Sequence, residues 1–356
     1  MGKNIITYGK QFIDKKDILE VSKSLQRDLI TTGSYVTRFE NRLKSFFKSK
    51  FVYSCSNATS GLHLAFKAIN LKKNDVVIMP AINFISSYRM AKMLGAKIFL
   101  IDVDRKNGQV TKESILRCIK ENRIKKVKAI VSMYLGGYVE NNIEIFELKK
   151  KLGCYLIEDA CHALGASYTF KNKIYKIGSC SHSDICVFSF HPVKSLTTGE
   201  GGAIATNDIN IAKKLVILRN HGIIKSKNYW DYDIKNLGFN YRLSDINCSL
   251  GVSQLTKLKL FFKKRKDIYN IYIKNLSKYN DLVILPKVKN KNNFYHLFLL
   301  GINFNKIKGT KDDLFKFLNK KKIFPQYHYK PIYKFYFFKG KVNKKFLGAE
   351  EYHKNF

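Results

Sequence analysis

DICVFSFHPVKSLTTGEGGAIAT, residues 184–206, holds two short apolar runs around a polar loop. Ile185 to Phe190 has the apolar and β-branched content of a buried strand, and Ala203 to Thr206 reads as a second. Lys194 follows the first strand, beside Thr197, Thr198 and the turn Gly199-Glu200-Gly201-Gly202, where the backbone must bend tightly or approach a ligand. An amine held there, partly desolvated beside hydroxyls, can lose its proton and attack a carbonyl, which is the chemistry of a Schiff-base lysine. The bland alternative is a solvated loop lysine in a lysine-rich chain. What decides between them is whether the rest of the chain supplies a carboxylate, an aromatic plate and a phosphate cradle.

Upstream, strand-like and helix-like runs alternate. Phe51–Cys55, Asp75–Met79, Ala96–Val103, Val127–Met133 and Cys154–Ile157 read as strands. Helical spacing appears from Asp14, over Val36–Phe47, after Gly61, and over Phe84–Leu94, Thr111–Glu121 and Ile143–Leu152. Such alternation indicates βαβ units and a mainly parallel sheet covered on both faces, with ligands at the carboxyl ends of its strands. Three polar clusters fall at those ends. In Ser56-Asn57-Ala58-Thr59-Ser60-Gly61 a strand gives way to a helix through small residues, a phosphate site by virtue of free N–H groups and the helix dipole, or else an ordinary N-cap. In Glu158-Asp159-Ala160-Cys161-His162 a buried carboxylate needs a cation or strong donor, and Asp159 would suit a protonated pyridine nitrogen. A helix cap for Asp159 and a satisfied core histidine for His162 are the alternatives. Ser189 to Lys194 is the third cluster.

Downstream of Asp208 a helix leads to RNHGI, and FNYRLSD (239–245) opens a helix expected over Asp245–Leu260. A long helix through KKRKDIYNIYIKNLSKY then joins a small α+β unit, with Asn293–Ile302 and a helix over Lys311–Lys320. With 356 residues, 45% of them hydrophobic, the chain can bury a large core and a smaller one. No run of eighteen or more apolar residues and no apolar signal core appear, so the sequence reads as cytoplasmic and not membrane-bound. Seven scattered cysteines without a Cys-x-x-Cys pair suggest buried thiols and no metal site. The formal charge of +38 would suit a polyanion, but its lysines are spread through the chain without a nucleic-acid motif. Abundant Asn, Ile, Phe and Tyr favour compositional drift, with no specific nucleic acid as partner.

Taken together, SNATSGLHLA, MPAINFISS, IEDACHALGA, FSFHPVKSLTTGEGG and FNYRLSDINCSLGVSQL resemble the DegT/DnrJ/EryC1/StrS family of pyridoxal-phosphate-dependent nucleotide-sugar aminotransferases. The resemblance runs from the N-terminal arm to near residue 352. The HPVK loop, the Asn-Tyr-Arg segment and HYKPIY (His328 to Tyr333) are most similar to the branch acting on the route to pseudaminic acid. The resemblance implies a fold-type-I α/β protein with a mainly parallel seven-stranded sheet flanked by helices. A large domain over residues 1–250, with the N-terminal arm, would be followed by a smaller α+β domain over 251–356. Relatives continue beyond this chain with an extended segment and a last helix, so a shortened small domain is expected.

The resemblance also implies a site. Lys194 would bind pyridoxal phosphate covalently and move the proton, Asp159 would pair with the pyridine nitrogen, His162 would lie near the ring and Phe84 would stack on it. Thr59, Ser60 and Ser189 would hold the phosphate, helped by Asn240 of the partner subunit in a homodimer with shared active sites. His328 and Tyr329 would contact the nucleotide sugar, glutamate would donate the amino group, and a keto group, C4 before C3, would receive it. Family members that dehydrate carry histidine in place of the lysine, so Lys194 points to amino transfer. A catalytically impaired homologue and a polyanion-binding protein on the same fold are the competing expectations.

Overall fold

The computed structural model describes residues 5–288, 290, 292–338 and 345–356. Seven five-residue strands form its main sheet: β1 (Phe51–Cys55), β2 (Val76–Pro80), β3 (Lys97–Ile101), β4 (Ala129–Met133), β5 (Tyr155–Asp159), β6 (Ile185–Ser189) and β7 (Gly202–Thr206). They lie in the order β1-β7-β6-β5-β4-β2-β3. Within this sheet β7 runs antiparallel to both neighbours, and the other pairings are parallel.

Seven helices accompany these strands: α1 (Lys15–Leu25), α2 (Ser34–Phe47), α3 (Ala58–Ala68), α4 (Ser86–Met93), α5 (Lys112–Glu121), α6 (Asn142–Leu152) and α7 (Ile209–Leu218). Asp14, Asn57 and Thr111 start α1, α3 and α5 by reciprocal capping boxes, which satisfy donors that no helical carbonyl can reach. Alternation along the strands then feeds two cores. Ile185, Val187 and Ile204 join Leu62, Phe66, Ile115, Leu148 and Leu215 on one side. Cys186, Phe188, Ala203 and Ala205 join Phe39, Leu43, Phe47 and Val252 on the other. Apolar burial on both faces is what crossover helices around a parallel sheet require.

The mainly parallel seven-stranded sheet is as the sequence led us to expect; three features beyond it differ. The helix expected over Asp245–Leu260 is two, α8 (Asp245–Leu255) and α9 (Leu258–Leu276). At the break the Thr256 hydroxyl donates to the Ser253 carbonyl at 2.7 Å, and Lys257 is drawn to Asp14 and Asp17, at 2.6 Å from each. Of Asn293–Ile302 only Gly301–Ile302 forms a strand, pairing with Val283–Ile284. The preceding residues bond to a loop instead: Phe294 N–H donates to the Gly137 carbonyl at 3.3 Å and Leu297 N–H to that of Gly136 at 3.1 Å. Two hairpins, Ser167–Phe170 with Lys173–Lys176 and Ile223–Lys225 with Tyr232–Ile234, were not foreseen. The expected helix α10 (Lys311–Lys320) is present, and α11 (Leu347–Asn355) packs Tyr352 into the first core.

The end of β5 carries two carboxylates on opposite faces of the sheet. Glu158 is buried among Tyr134, whose hydroxyl donates to Oε1, and Ser183, whose hydroxyl donates to Oε2 at 2.9 Å. Burial pushes its carboxyl up to about 7, although both donors favour the ionised form. A folded-state value raised above the unfolded one means stability is fully present below the ordinary glutamate range and is lost as pH rises through about 7. The urea unfolding free energy should therefore fall between about pH 5 and pH 8, and Glu158→Gln should flatten that slope. An unchanged slope in the variant would remove Glu158 as its source.

Candidate active site

The site lies where β5, β6 and the start of α3 meet. Register brings them together: Asp159 pairs with Val187, Ser189 with Gly202, and Gly202 with Cys55. Asn57 therefore sits directly against Gly202, where a Cβ would come 2.7 Å from the Asn57 carbonyl carbon. Glycine is required there by close approach of two backbones.

Lys194 and Asp159 stand near enough to shift each other's titration. Burial pulls the Lys194 amine below its ordinary value, opposed by Cys161 and Asp159. Burial likewise pushes the Asp159 carboxyl up, opposed by Cys161, Lys194 and Ser87. Its hydrogen bonds are weak: Cys161 N–H donates to Oδ1 at 3.3 Å, the Ser87 hydroxyl to Oδ2 at 3.4 Å, and the Cys161 thiol is a further donor. A buried carboxylate so lightly held fits a cationic ring nitrogen.

His162 is fully buried, with its ring 4.5 Å from that of His296 and 6.0 Å from those of His328 and Tyr329. Burial, then the fields of Lys194, His296 and His328, holds it well below the usual histidine range, so it is neutral. Burial also lowers His328, to about 4, and holds the Tyr329 hydroxyl well above its ordinary value. The Phe84 ring lies 5.9 Å from Tyr329 and is half exposed, available as a plate beside the site.

The start of α3 fits an anion. Asn57 Oδ1 takes the Ser60 N–H at 2.8 Å, and the N–H groups of Ala58 and Thr59 have no partner among the described residues. Thr59 Oγ1 pairs with Ser86 Oγ at 2.8 Å, and Ser189 Oγ accepts only a long 3.4 Å bond from His191 N–H. The Ser60 hydroxyl closes the cap, donating to the Asn57 carbonyl at 2.7 Å and accepting its N–H at 3.2 Å. With Thr59, Ser189 and free N–H groups at one end and Asp159 at the other, these residues fit pyridoxal phosphate.

The structure thus gathers Lys194, Asp159, His162, Phe84, His328 and Tyr329, and sets Thr59 and Ser189 at the anion end. Asn240 is exposed at the surface, although the carbonyl of its neighbour Tyr241 takes the Ser56 N–H at 2.9 Å. Sequence reading missed Ser87, Gly136 and His296. The Gly136-Gly137 pair after β4 was a usable turn signal, whereas nothing local marks Ser87 or His296.

Comparison with known proteins agrees with this geometry. The sequence matches the DegT/DnrJ/EryC1/StrS aminotransferase family over residues 11–356. A UDP-4-amino-4,6-dideoxy-N-acetyl-beta-L-altrosamine transaminase of Campylobacter jejuni is 38% identical, covering 94% of this chain and 86% of its own. The Helicobacter pylori protein of the same name is 32% identical over 95% of this chain and 86% of its own. Among solved structures, Helicobacter pylori PseC, an aminotransferase of pseudaminic acid biosynthesis, superposes with a TM-score of 0.88 at 28% identity, covering 99% of this chain and 92% of that one. A sugar aminotransferase, Spr1654 from Streptococcus pneumoniae, in its PMP form superposes at 0.87 with 25% identity, covering 99% and 91%. The chain belongs to the DegT/DnrJ/EryC1/StrS aminotransferase family.

Proposed function

We propose that this nucleotide-sugar aminotransferase moves the amino group of glutamate to the C4 keto group of a nucleotide-linked 6-deoxy sugar, for surface-glycan or flagellin-sugar biosynthesis in the cytoplasm. The observation that carries the reading is the Lys194 amine beside Asp159 at the strand ends, with the open N-terminus of α3 alongside. Bound pyridoxal phosphate, the cofactor, supplies an electron sink and carries the amino group between the two substrates. Everything else is done by the chain. Lys194, drawn toward its neutral form by burial, accepts and returns a proton at Nζ within the site. Asp159 holds a cationic nitrogen and keeps it charged. The N-terminus of α3, Thr59 and Ser189 hold the phosphate, Phe84 and His162 confine the ring, and His328 and Tyr329 contact the sugar.

Two subunits complete the site in this reading, with Asn240 of each reaching the phosphate held by the other. Exposed apolar residues in the segment before Asn240 support a second copy as partner: Tyr229 is 95% exposed, Trp230 70% and Leu237 82%. Exposed apolar groups in such density mark an interaction surface. Residues 1–250 would form the large domain and 251–356 the small one; residues 1–4 of the former and 289, 291 and 339–344 of the latter lie outside those described.

Three outcomes test the proposal. In the wild type, borohydride should bleach the yellow colour and leave the cofactor covalently attached to Lys194; Lys194→Ala should retain no such attachment, and retained full turnover would refute its role. Asp159→Asn should still bind cofactor but slow turnover about 100- to 1000-fold, as when one electrostatic partner of a transition state is removed; a rate within a few-fold of wild type would end that assignment. Mixed Lys194→Ala and Asn240→Ala chains, under subunit exchange, should regain activity that neither parent has. Full activity in a monomer, shown by light scattering, would refute the shared site.

A further inference from the structure

His162 faces two partners whose roles can be assigned from chemistry. The backbone N–H of Gly136 points at Nδ1 from 3.3 Å, and Tyr329 Oη lies 3.0 Å from Nε2. A backbone N–H can only donate, so Nδ1 must accept. A neutral imidazole has one donor and one acceptor, so the ring proton is on Nε2 and is given to Tyr329 Oη. Tyr329 therefore accepts from His162, and its own proton is not used in that bond. Among the described residues the Tyr329 hydroxyl has no other hydrogen-bond partner. It stands within the fields of Asp159 and Cys161, with the Phe84 ring at 5.9 Å, and so borders the space into which Lys194 and Asp159 face.

The Gly136 donor is itself fixed. The Tyr134 hydroxyl is anchored to Glu158 beneath the sheet, and Tyr134 N–H donates to the Asp159 carbonyl at 3.4 Å. Gly136 has φ 73° and Gly137 φ 87°, conformations natural to glycine, and a Cβ on Gly137 would come 2.5 Å from the His162 carbonyl oxygen. The carbonyls of both glycines are taken by Leu297 and Phe294 N–H. The loop is held from both sides, so the direction of the Gly136 N–H is set by the fold.

We propose that Gly136 locks His162 as its Nε2–H tautomer, which turns Tyr329 into a committed hydrogen-bond donor to an oxygen of the bound keto-sugar. This rests on the placement of the sugar at Tyr329 proposed above. It makes Gly136 and its anchor Tyr134 positioning elements acting through His162, and leaves the Tyr329 proton free for an acceptor such as a carbonyl or hydroxyl oxygen.

The wild-type holoenzyme with nitrogen-15-labelled histidine tests the first step, a variant serving only to assign the signals. Nitrogen shifts of His162, assigned by their loss in His162→Gln, should show a protonated Nε2 and a bare Nδ1 that do not titrate between about pH 6 and pH 9. The opposite tautomer, or titration in that range, overturns the proposal. Tyr329→Phe tests the second step by the two half-reactions. Its reaction with the keto-sugar should slow about 10- to 100-fold more than its reaction with glutamate, the loss of a hydrogen bond to a charged or polarised acceptor. Equal losses in both, or a displaced cofactor absorption band, would place the donor elsewhere and overturn it. His162→Gln, whose side-chain amide can donate to Tyr329 and accept from Gly136, should keep more sugar activity than His162→Leu; equal loss counts against the relay. A wild-type chain that turns over glutamate and aminates no keto-sugar would overturn the sugar reading along with the Tyr329 role. An undiminished sugar half-reaction in Tyr329→Phe would overturn the role alone.

Discussion

A carboxylate and an amine, Asp159 and Lys194, share a space from which most water is excluded, and the rest of the site is arranged around that constraint. Two opposite charges in such a place are costly to desolvate unless good geometry and further hydrogen bonds offset the loss. Here the geometry is loose. The Asp159 carboxylate receives long bonds from the Cys161 N–H at 3.3 Å and the Ser87 hydroxyl at 3.4 Å and one from the weakly donating Cys161 thiol, and burial moves both groups toward their neutral forms. A site in that condition gains from a ligand that is cationic against the carboxylate and electrophilic toward the amine. The same looseness that makes the pair a poor structural salt bridge makes it receptive chemistry.

Where these groups stand is dictated by strand register. Asp159 opposes Val187, two residues before Ser189, and Ser189, Gly202 and Cys55 form one row across β6, β7 and β1. The row ends at the cap of α3, so the anion end and the carboxylate end are separated by a fixed number of strand spacings. Packing leaves little freedom to change this. A Cβ at Gly202 would meet the Asn57 backbone at 2.7 Å, and one at Gly61 would come 2.9 Å from Val187 Cγ1. The antiparallel β7 is the device that brings the Gly-Glu-Gly-Gly turn back beside Lys194.

Much of this was legible in the sequence because the signals were local. Apolar strand runs, the caps Asp14 and Thr111, and the Lys194 loop all announce themselves within a few residues. The core of the site was legible for the same reason, since each polar cluster directly follows a strand. What failed depended on distant partners. Lys257 breaks the helix after α8 because Asp14 and Asp17, more than two hundred residues earlier, draw its amine. Asn293–Leu300 looks like a strand, yet Tyr295 has φ 54° and the N–H groups of Phe294 and Leu297 go to Gly137 and Gly136. The hairpin at Ser167–Lys176 turns through Lys171 and Asn172, both with positive φ, where no glycine gave warning. That the Ser60 hydroxyl also closes the α3 cap is a detail that composition cannot give.

The loop Tyr134–Gly137 shows why residues after 293 belong to the chemistry and do not merely cover it. It meets Glu158 below the sheet through Tyr134, His162 above it through the Gly136 N–H, and the later segment through the carbonyls of Gly136 and Gly137. The His296 ring in that segment lies 4.5 Å from that of His162, tilted by 45°, and its own carbonyl is held by Arg265 Nη1 of α9 at 2.8 Å. Displacing the 293–299 segment would free both glycine carbonyls and loosen the peptide whose N–H orients His162. The orientation of a histidine at the end of the central sheet is therefore coupled, through three consecutive peptide groups, to the seating of the C-terminal part of the chain. The same short loop thus bonds both the C-terminal segment and the histidine that faces Tyr329.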